Sequence, residues 1–247
     1  MFPVEEIDVS PVYHLPIVKA FAERIDLVKT INLLVPSNMK VDPGTIVLAM
    51  VLDTLSGRHP LYHINHFYDG KDIELLLGQP LDCGQLNDDN CGRVLELLFG
   101  TGTMSIFSAI IMNVLRNFKV PAHHAHCDTT SLKVYGEYEP SDPDRPVNLK
   151  IVKGYSKDHR PDLNQIVLSL LCIGGNVPIL AKVEDGNASD KKINNALLTD
   201  ISQHLAKMGI TPAATIHISD SALVSEENLR KAGNTTLFIS RFPATYR

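Results

Sequence analysis

Gln165-Ile-Val-Leu-Ser-Leu-Leu-Cys-Ile173, Gly174-Gly175-Asn176 and Val177-Pro-Ile-Leu-Ala-Lys-Val183 stand in succession. Two β-rich runs flank a glycine-glycine-asparagine turn, which reads as a β-hairpin. Upstream, 124–128 reads as a short strand, followed by Thr129, Thr130, Ser131 and a polar, proline-bearing loop. Downstream, Gly186-Asn187 breaks the hairpin and Ser189 is a good N-cap for a helix over 190–207. In that helix Ile193, Leu197, Ile201 and Leu205 form one stripe, and Gly209 sits at its end. A strand over 215–220, a short helix over 226–232 and a strand over 236–240 complete the order β, hairpin, α, β, α, β, an α/β pattern.

Before Pro121 the texture is helical. From Ile17 to Leu34 apolar residues repeat at three and four, predicting one helix stopped by Pro36. Pro43 opens a second helix with Gly57 at its end, and Asn87-Asp88-Asp89 caps another, ended by Gly100 and Gly102. A last helix covers 103–118. Shorter apolar pieces lie at 61–67 and 73–77. The spacing therefore predicts two domains, an all-α domain over 1–120 and a mixed α/β domain over 121–247.

The chain has 247 residues with 44% hydrophobic and 21% charged, an ordinary globular composition. Its cysteines, Cys83, Cys91, Cys127 and Cys172, form no CxxC pair, which suits a reducing compartment and speaks against a zinc site. No apolar run is long enough for a membrane span and no signal peptide opens the chain, so the expectation is a cytoplasmic protein without a membrane partner. Net charge is −5. Residues 1–120 hold 9 Lys/Arg against 14 Asp/Glu, and residues 121–247 hold 14 against 14. Arg145, Lys150, Lys153, Lys157 and Arg160 put five cations into sixteen residues, a stretch suited to phosphates or to a solvated loop.

Two aspartates sit at comparable places. Asp128 ends the first strand and Asp220 the strand after the long helix, each followed by small hydroxyl residues. Chain order allows the two strands to neighbour each other. Carboxylates converging at strand ends suit Mg²⁺ or Mn²⁺, which take hard oxygen ligands. Taken singly, each aspartate also reads as a turn former or cap. His123, His124 and His126 form a cluster in which alternation puts His124 and His126 on one face and His123 on the other. A metal site there would need a further ligand.

The blocks Asp128-Thr-Thr-Ser131, Gly154-Tyr-Ser-Lys-Asp-His-Arg-Pro-Asp-Leu163, Asp185-Gly-Asn-Ala-Ser-Asp190, Asp220-Ser-Ala-Leu223 and Phe238-Ile-Ser-Arg-Phe-Pro243 occur in that order. Together they resemble a bacterial insertion-sequence transposase of the DDE type with a ribonuclease-H-like catalytic domain. Val41-Asp-Pro-Gly-Thr-Ile-Val-Leu-Ala-Met50 and Leu86-Asn-Asp-Asp89 resemble the helical domain that precedes this core in one group of the family. The resemblance implies metal-dependent phosphoryl transfer on DNA. Water frees the element's 3′ end, and that 3′-OH then attacks target DNA.

By the same resemblance Asp128 and Asp220 are the first and second catalytic aspartates, and both hold Mg²⁺ or Mn²⁺. Read from the residues themselves, Lys153, Lys157 and Arg160 suit the DNA backbone and His159 suits a phosphate oxygen, while the alternative reading of the same block has Asp158 or Asp162 capping the approach to the next strand. The partners implied are DNA, as element ends and target, and a second copy of the chain on DNA. The family's third acid, a glutamate, lies well downstream of the second aspartate. Glu226 and Glu227 come too early for it, so the chain reads as the N-terminal portion of a transposase with an incomplete catalytic domain. Cys127 stands where a larger apolar residue is usual. The competing expectation is a catalytically dead remnant that binds DNA or intact transposase without cleaving.

Overall fold

The computed structural model describes residues 9–136, 138, 149–155, 160–188, 206, 209, 215–219, 224, 226, 229–230 and 237–242. The chain divides into two compact units, Met1–Phe118 and Lys119–Arg247. It is a mixed α/β protein, helical in the first unit and built on a mixed sheet in the second.

The helices of the first unit are α1 (Leu15–Arg24), α2 (Leu27–Leu34), α3 (Pro43–Thr54), α4 (Ile64–Tyr68), α5 (Ile73–Leu77), α6 (Asp88–Thr101) and α7 (Thr103–Phe118). The continuous apolar repeat from Ile17 to Leu34 does not give one helix. Asp26 adopts a left-handed conformation (φ 51°, ψ 38°) and breaks the run into α1 and α2. Aspartate tolerates that region better than most residues, and it was hidden inside an unbroken apolar periodicity. The N-caps follow side-chain chemistry. Asp42, Asp72 and Asn87 each accept a hydrogen bond from a backbone N–H three residues on, at 2.9, 2.8 and 2.9 Å. Pro43 occupies the first turn of α3, where its missing N–H costs nothing. That helix ends at Thr54 rather than at Gly57.

Asp42 does more than cap. Asn32 of α2 donates to its Oδ1 at 2.6 Å, and the Thr45 hydroxyl and Gln79 donate to its Oδ2 at 2.9 and 3.1 Å. Burial by itself pushes the carboxyl up, but the bonds from Thr45, Asn32 and Gln79 outweigh it and hold Asp42 below the ordinary range. Around this hub packs a core that includes Leu15, Ile31, Ile46, Leu52, Leu76 and Leu86. Each such side chain contributes about 1.5–3 kcal/mol by leaving water. Tyr68 is buried in it and its hydroxyl donates to the Ala49 carbonyl at 2.9 Å, so its one polar atom is satisfied.

In the second unit the strands are β1 (His124–Val134), β2 (Val152–Lys153), β3 (Asn164–Ile173), β4 (Val177–Glu184), β5 (Ile216–Ser219) and β6 (Phe238–Ser240). β3 and β4 form the antiparallel hairpin, turned by Gly174–Asn176, where Gly175 and Asn176 take φ of 72° and 60°. β1 lies between β3, its antiparallel neighbour, and β5, its parallel one; β6 continues parallel to β5, and β2 pairs with the start of β3. β1 is longer than expected. It runs on through Thr129, Thr130 and Ser131 to Val134 because every residue from His126 onward finds a partner on β3. Asp128 therefore stands mid-strand rather than at a strand end. The helix expected over 190–207 and Asp220 lie outside the described residues, apart from Ala206.

One face of this sheet is closed and the other is more open. Ala125 and Thr129 of β1, every odd-numbered residue of β3 from Gln165 to Ile173, and His217 of β5 are buried. The even-numbered residues, which point the other way, are exposed or half-buried. Two of the sequence blocks meet at the start of β3. A Cβ on Gly154 would lie 2.0 Å from the Gly186 carbonyl oxygen, and one on Gly186 the same distance from that of Gln165. Both positions need glycine because backbones touch there. Gln165 donates to the Gly186 carbonyl at 2.7 Å, and Lys150 N–H donates to Asp185 Oδ1 at 2.8 Å.

Candidate functional site

Asp128 projects from the middle of β1 on the more open face, directly across from Leu170 of β3. Its Oδ1 accepts from the Thr129 N–H at 2.8 Å. Around it on the same face are the half-buried Leu168 and Leu170, so the carboxylate stands on an apolar floor held by two rigid strands.

The parallel neighbour carries the second feature. His124 pairs with Ile216, Ala125 with His217 and His126 with Ile218, a constant offset of 92 in residue number. Asp128 and Asp220 are also 92 apart in the sequence. Asp220, the residue after Ser219, lies outside the described residues.

The expected DNA-contacting residues sit elsewhere on the unit. Lys153 pairs with Asn164, which pairs with Val134, six residues beyond Asp128. That is about 20 Å along the strand at 3.3 Å per residue. Arg160 stands ahead of β3, with its guanidinium held by Asp162 through two bonds of 2.8 and 2.7 Å. The bond from Arg160 brings the exposed Asp162 carboxyl down to about 2, and Lys153 adds to the effect. Arg160 is thus matched by a local carboxylate, a pairing the two-residue spacing in the sequence was able to signal. Lys157, Asp158 and His159 lie outside the described residues. Lys153 and Arg160 are not brought to Asp128.

The histidine cluster is brought much nearer. His123, His124 and His126 all line one open cleft of about 270 Å³ with Pro121, Ile173, Gly174, Gly175 and Asn176. Strict alternation had separated His123 from the other two. His123 precedes β1, and the cleft wraps around the end of the strand. The approach to β1 is pinned on both sides. Gly174 N–H donates to the Pro121 carbonyl at 3.0 Å, and Ile216 N–H donates to that of His123 at 2.9 Å. His124 and His126 share the face of Asp128, a relation legible in their spacing of two.

As a ligand for Mg²⁺ or Mn²⁺, Asp128 fits in kind: a hard oxygen donor on a rigid strand. Among the described residues, no group of three or more His, Cys, Asp or Glu side chains comes together as a metal site. The three imidazoles therefore do not converge as a metal centre. Among the described residues no helix is long and apolar enough by itself to cross a membrane.

Residues 7–112 match a family described as a domain of unknown function, DUF4277. No curated protein matches the chain. Among solved structures, the chain is similar to a "Mos1 transposase paired-end complex with left transposon end", with 11% identity and a TM-score of 0.33 over 96% of this chain and 80% of that one. It is also similar to a "pre-cleavage Mos1 transpososome", with 8% identity and a TM-score of 0.31 over 85% and 62%.

Proposed function

We propose that this chain is part of a bacterial insertion-sequence transposase of the DDE type, whose ribonuclease-H-like unit cleaves and joins DNA by phosphoryl transfer. The observation that carries the reading is the parallel pairing of β1 with β5 at a constant offset of 92, which is the spacing of Asp128 and Asp220. Mg²⁺ or Mn²⁺ held by Asp128 and Asp220 supplies activation of the attacking oxygen and stabilisation of the leaving one. The protein's own part is to present Asp128 from a rigid strand and to hold the DNA backbone, with Lys153, Lys157, His159 and Arg160 as proposed contacts.

A second reading is DNA binding without cleavage. Incubation of the chain with supercoiled plasmid and Mn²⁺ separates the two. Nicking by the wild type that is lost in Asp128→Asn supports the transposase reading. Salt-sensitive binding with no nicking supports the second, and nicking untouched by Asp128→Asn removes Asp128 from the site.

A further inference from the structure

The cleft at the head of β1 is polar in an unusual way. His123, His124, His126 and Asn176 line it together with Pro121 and Ile173, and no carboxylate residue lines it among the described residues. Imidazole and carboxamide side chains offer N–H donors beside their acceptors, and none of them carries negative charge. The site therefore suits an anion better than a cation or an apolar ligand. The described residues give no metal-binding group there, which removes the usual use of clustered histidines.

Size and position narrow the anion. At about 270 Å³ and open to one side, the cleft is far larger than a single water and smaller than the range of about 300–1,000 Å³ usual for enclosed small-molecule sites. An open cleft of this size suits a short piece of a longer ligand. His126 lies two residues up the strand from Asp128, about 7 Å, and His124 four residues, about 13 Å, at 3.3 Å per residue. The charges on one DNA strand repeat about every 3.4 Å of helix axis. The cleft thus stands two to four nucleotide steps from Asp128, on the opposite side from Lys153 and Arg160.

We propose that this cleft binds the sugar–phosphate backbone of a DNA strand passing over Asp128, with His123, His124 and Asn176 donating to phosphate oxygens. The assignment rests on the reading of the chain as one that engages DNA. The imidazoles act as hydrogen-bond donors from a pinned backbone, positioning the strand without reading its sequence.

The test uses the full chain with ¹³C,¹⁵N-labelled histidine, and a fluorescent 20-base-pair duplex. The His123 and His124 imidazole signals, assigned from single variants, are expected to shift on adding duplex and to stay in place with sodium phosphate at the same concentration. The double variant His123→Ala/His124→Ala is expected to bind duplex at least about a hundredfold more weakly, as for two lost hydrogen bonds to a charged group. His124→Gln, which keeps a donor, should restore part of the affinity lost in His124→Ala; a merely structural role would not show that rescue.

Duplex binding with unmoved imidazoles overturns the cleft and leaves the DNA reading standing. Equal shifts with phosphate alone make it a free-anion site and overturn the strand assignment. No duplex binding by the wild type overturns both. Mn²⁺ broadening of the His126 amide, two residues from Asp128 and read on the same sample, reports separately on the carboxylate site.

Discussion

The amide of Gly44 donates to the side-chain oxygen of Asn32 at 2.7 Å, an approach of α3 to α2 that leaves no room for a side chain. A Cβ at position 44 would lie 2.4 Å from the Val28 carbonyl oxygen, which is backbone and cannot swing aside. Gly92, inside α6, is the opposite case, exposed and with nothing within 4 Å of its would-be Cβ. The same substitution should therefore change stability with opposite signs. Gly44→Ala is expected to destabilise by about 1–3 kcal/mol through overpacking. Gly92→Ala is expected to stabilise by about 0.5–1 kcal/mol through helix propensity. Urea midpoints of the two variants check this, and a Gly44→Ala as stable as wild type would mean that the helices part freely.

Asp53 is buried, with its side chain only 4% exposed, and its Oδ1 meets Nδ1 of the half-exposed His59 at 2.8 Å. Removing the imidazole strands a carboxylate in the core, whereas His63, which stacks on His66 at the surface, shields nothing comparable. His59→Ala is expected to cost about 1–2 kcal/mol and His63→Ala less than about 0.5 kcal/mol. Thermal melts of the pair test the ranking, and equal losses would show that the Asp53 contact adds nothing specific.

Much of this helical unit was legible because its signals are local. Asp42 before Pro43 and Asn87 before Asp88 mark helix starts by chemistry that acts over three residues. The break at Asp26 was not legible, since its left-handed turn sits inside an apolar periodicity that continues across it. The length of β1 was hidden for a related reason. Thr129, Thr130 and Ser131 read as a polar stop, yet they continue the strand because β3 supplies partners, and sheet pairing is a non-local fact. The hairpin of β3 and β4 was plain, since its turn residues and both strands lie within twenty residues.

His217 is 5% exposed, and its Nδ1 finds no hydrogen-bond partner among the described residues. Burial pushes its pKa below the ordinary 6.5. Below about pH 6.5 the unfolded chain takes up a proton that the folded chain refuses, so the residue lowers stability as pH falls. Above that pH it contributes no pH dependence. The slope from one such group is at most about 1.4 kcal/mol per pH unit. Between pH 7.5 and pH 5.5 the wild type is expected to lose more stability than His217→Leu. Parallel stability curves for the two proteins would show that His217 charges without penalty.

The candidate site was legible as residue types and only partly as geometry. The spacing of Asp128 and Asp220 was a number in the sequence; its match to the β1–β5 offset required the sheet. The basic stretch was legible as charge, and Asp162 only as a cap ahead of the next strand; that its carboxylate occupies the Arg160 fork required the structure. That pairing has a measurable consequence. If the unit binds DNA through this surface, Asp162 is a competitor for the guanidinium. Asp162→Asn should then remove that competitor and let Arg160, which also bonds Tyr135, add one phosphate contact. The dependence of log affinity on log salt would steepen by about 0.9. Duplex binding followed by fluorescence anisotropy from 50 to 200 mM salt, at about those limits, reads this directly. Arg160→Ala in the Asp162→Asn background should remove the gain. A slope unchanged by Asp162→Asn would mean that Arg160 does not reach the DNA, which leaves Lys133 and Lys153, both described at that end of the sheet, for the same test.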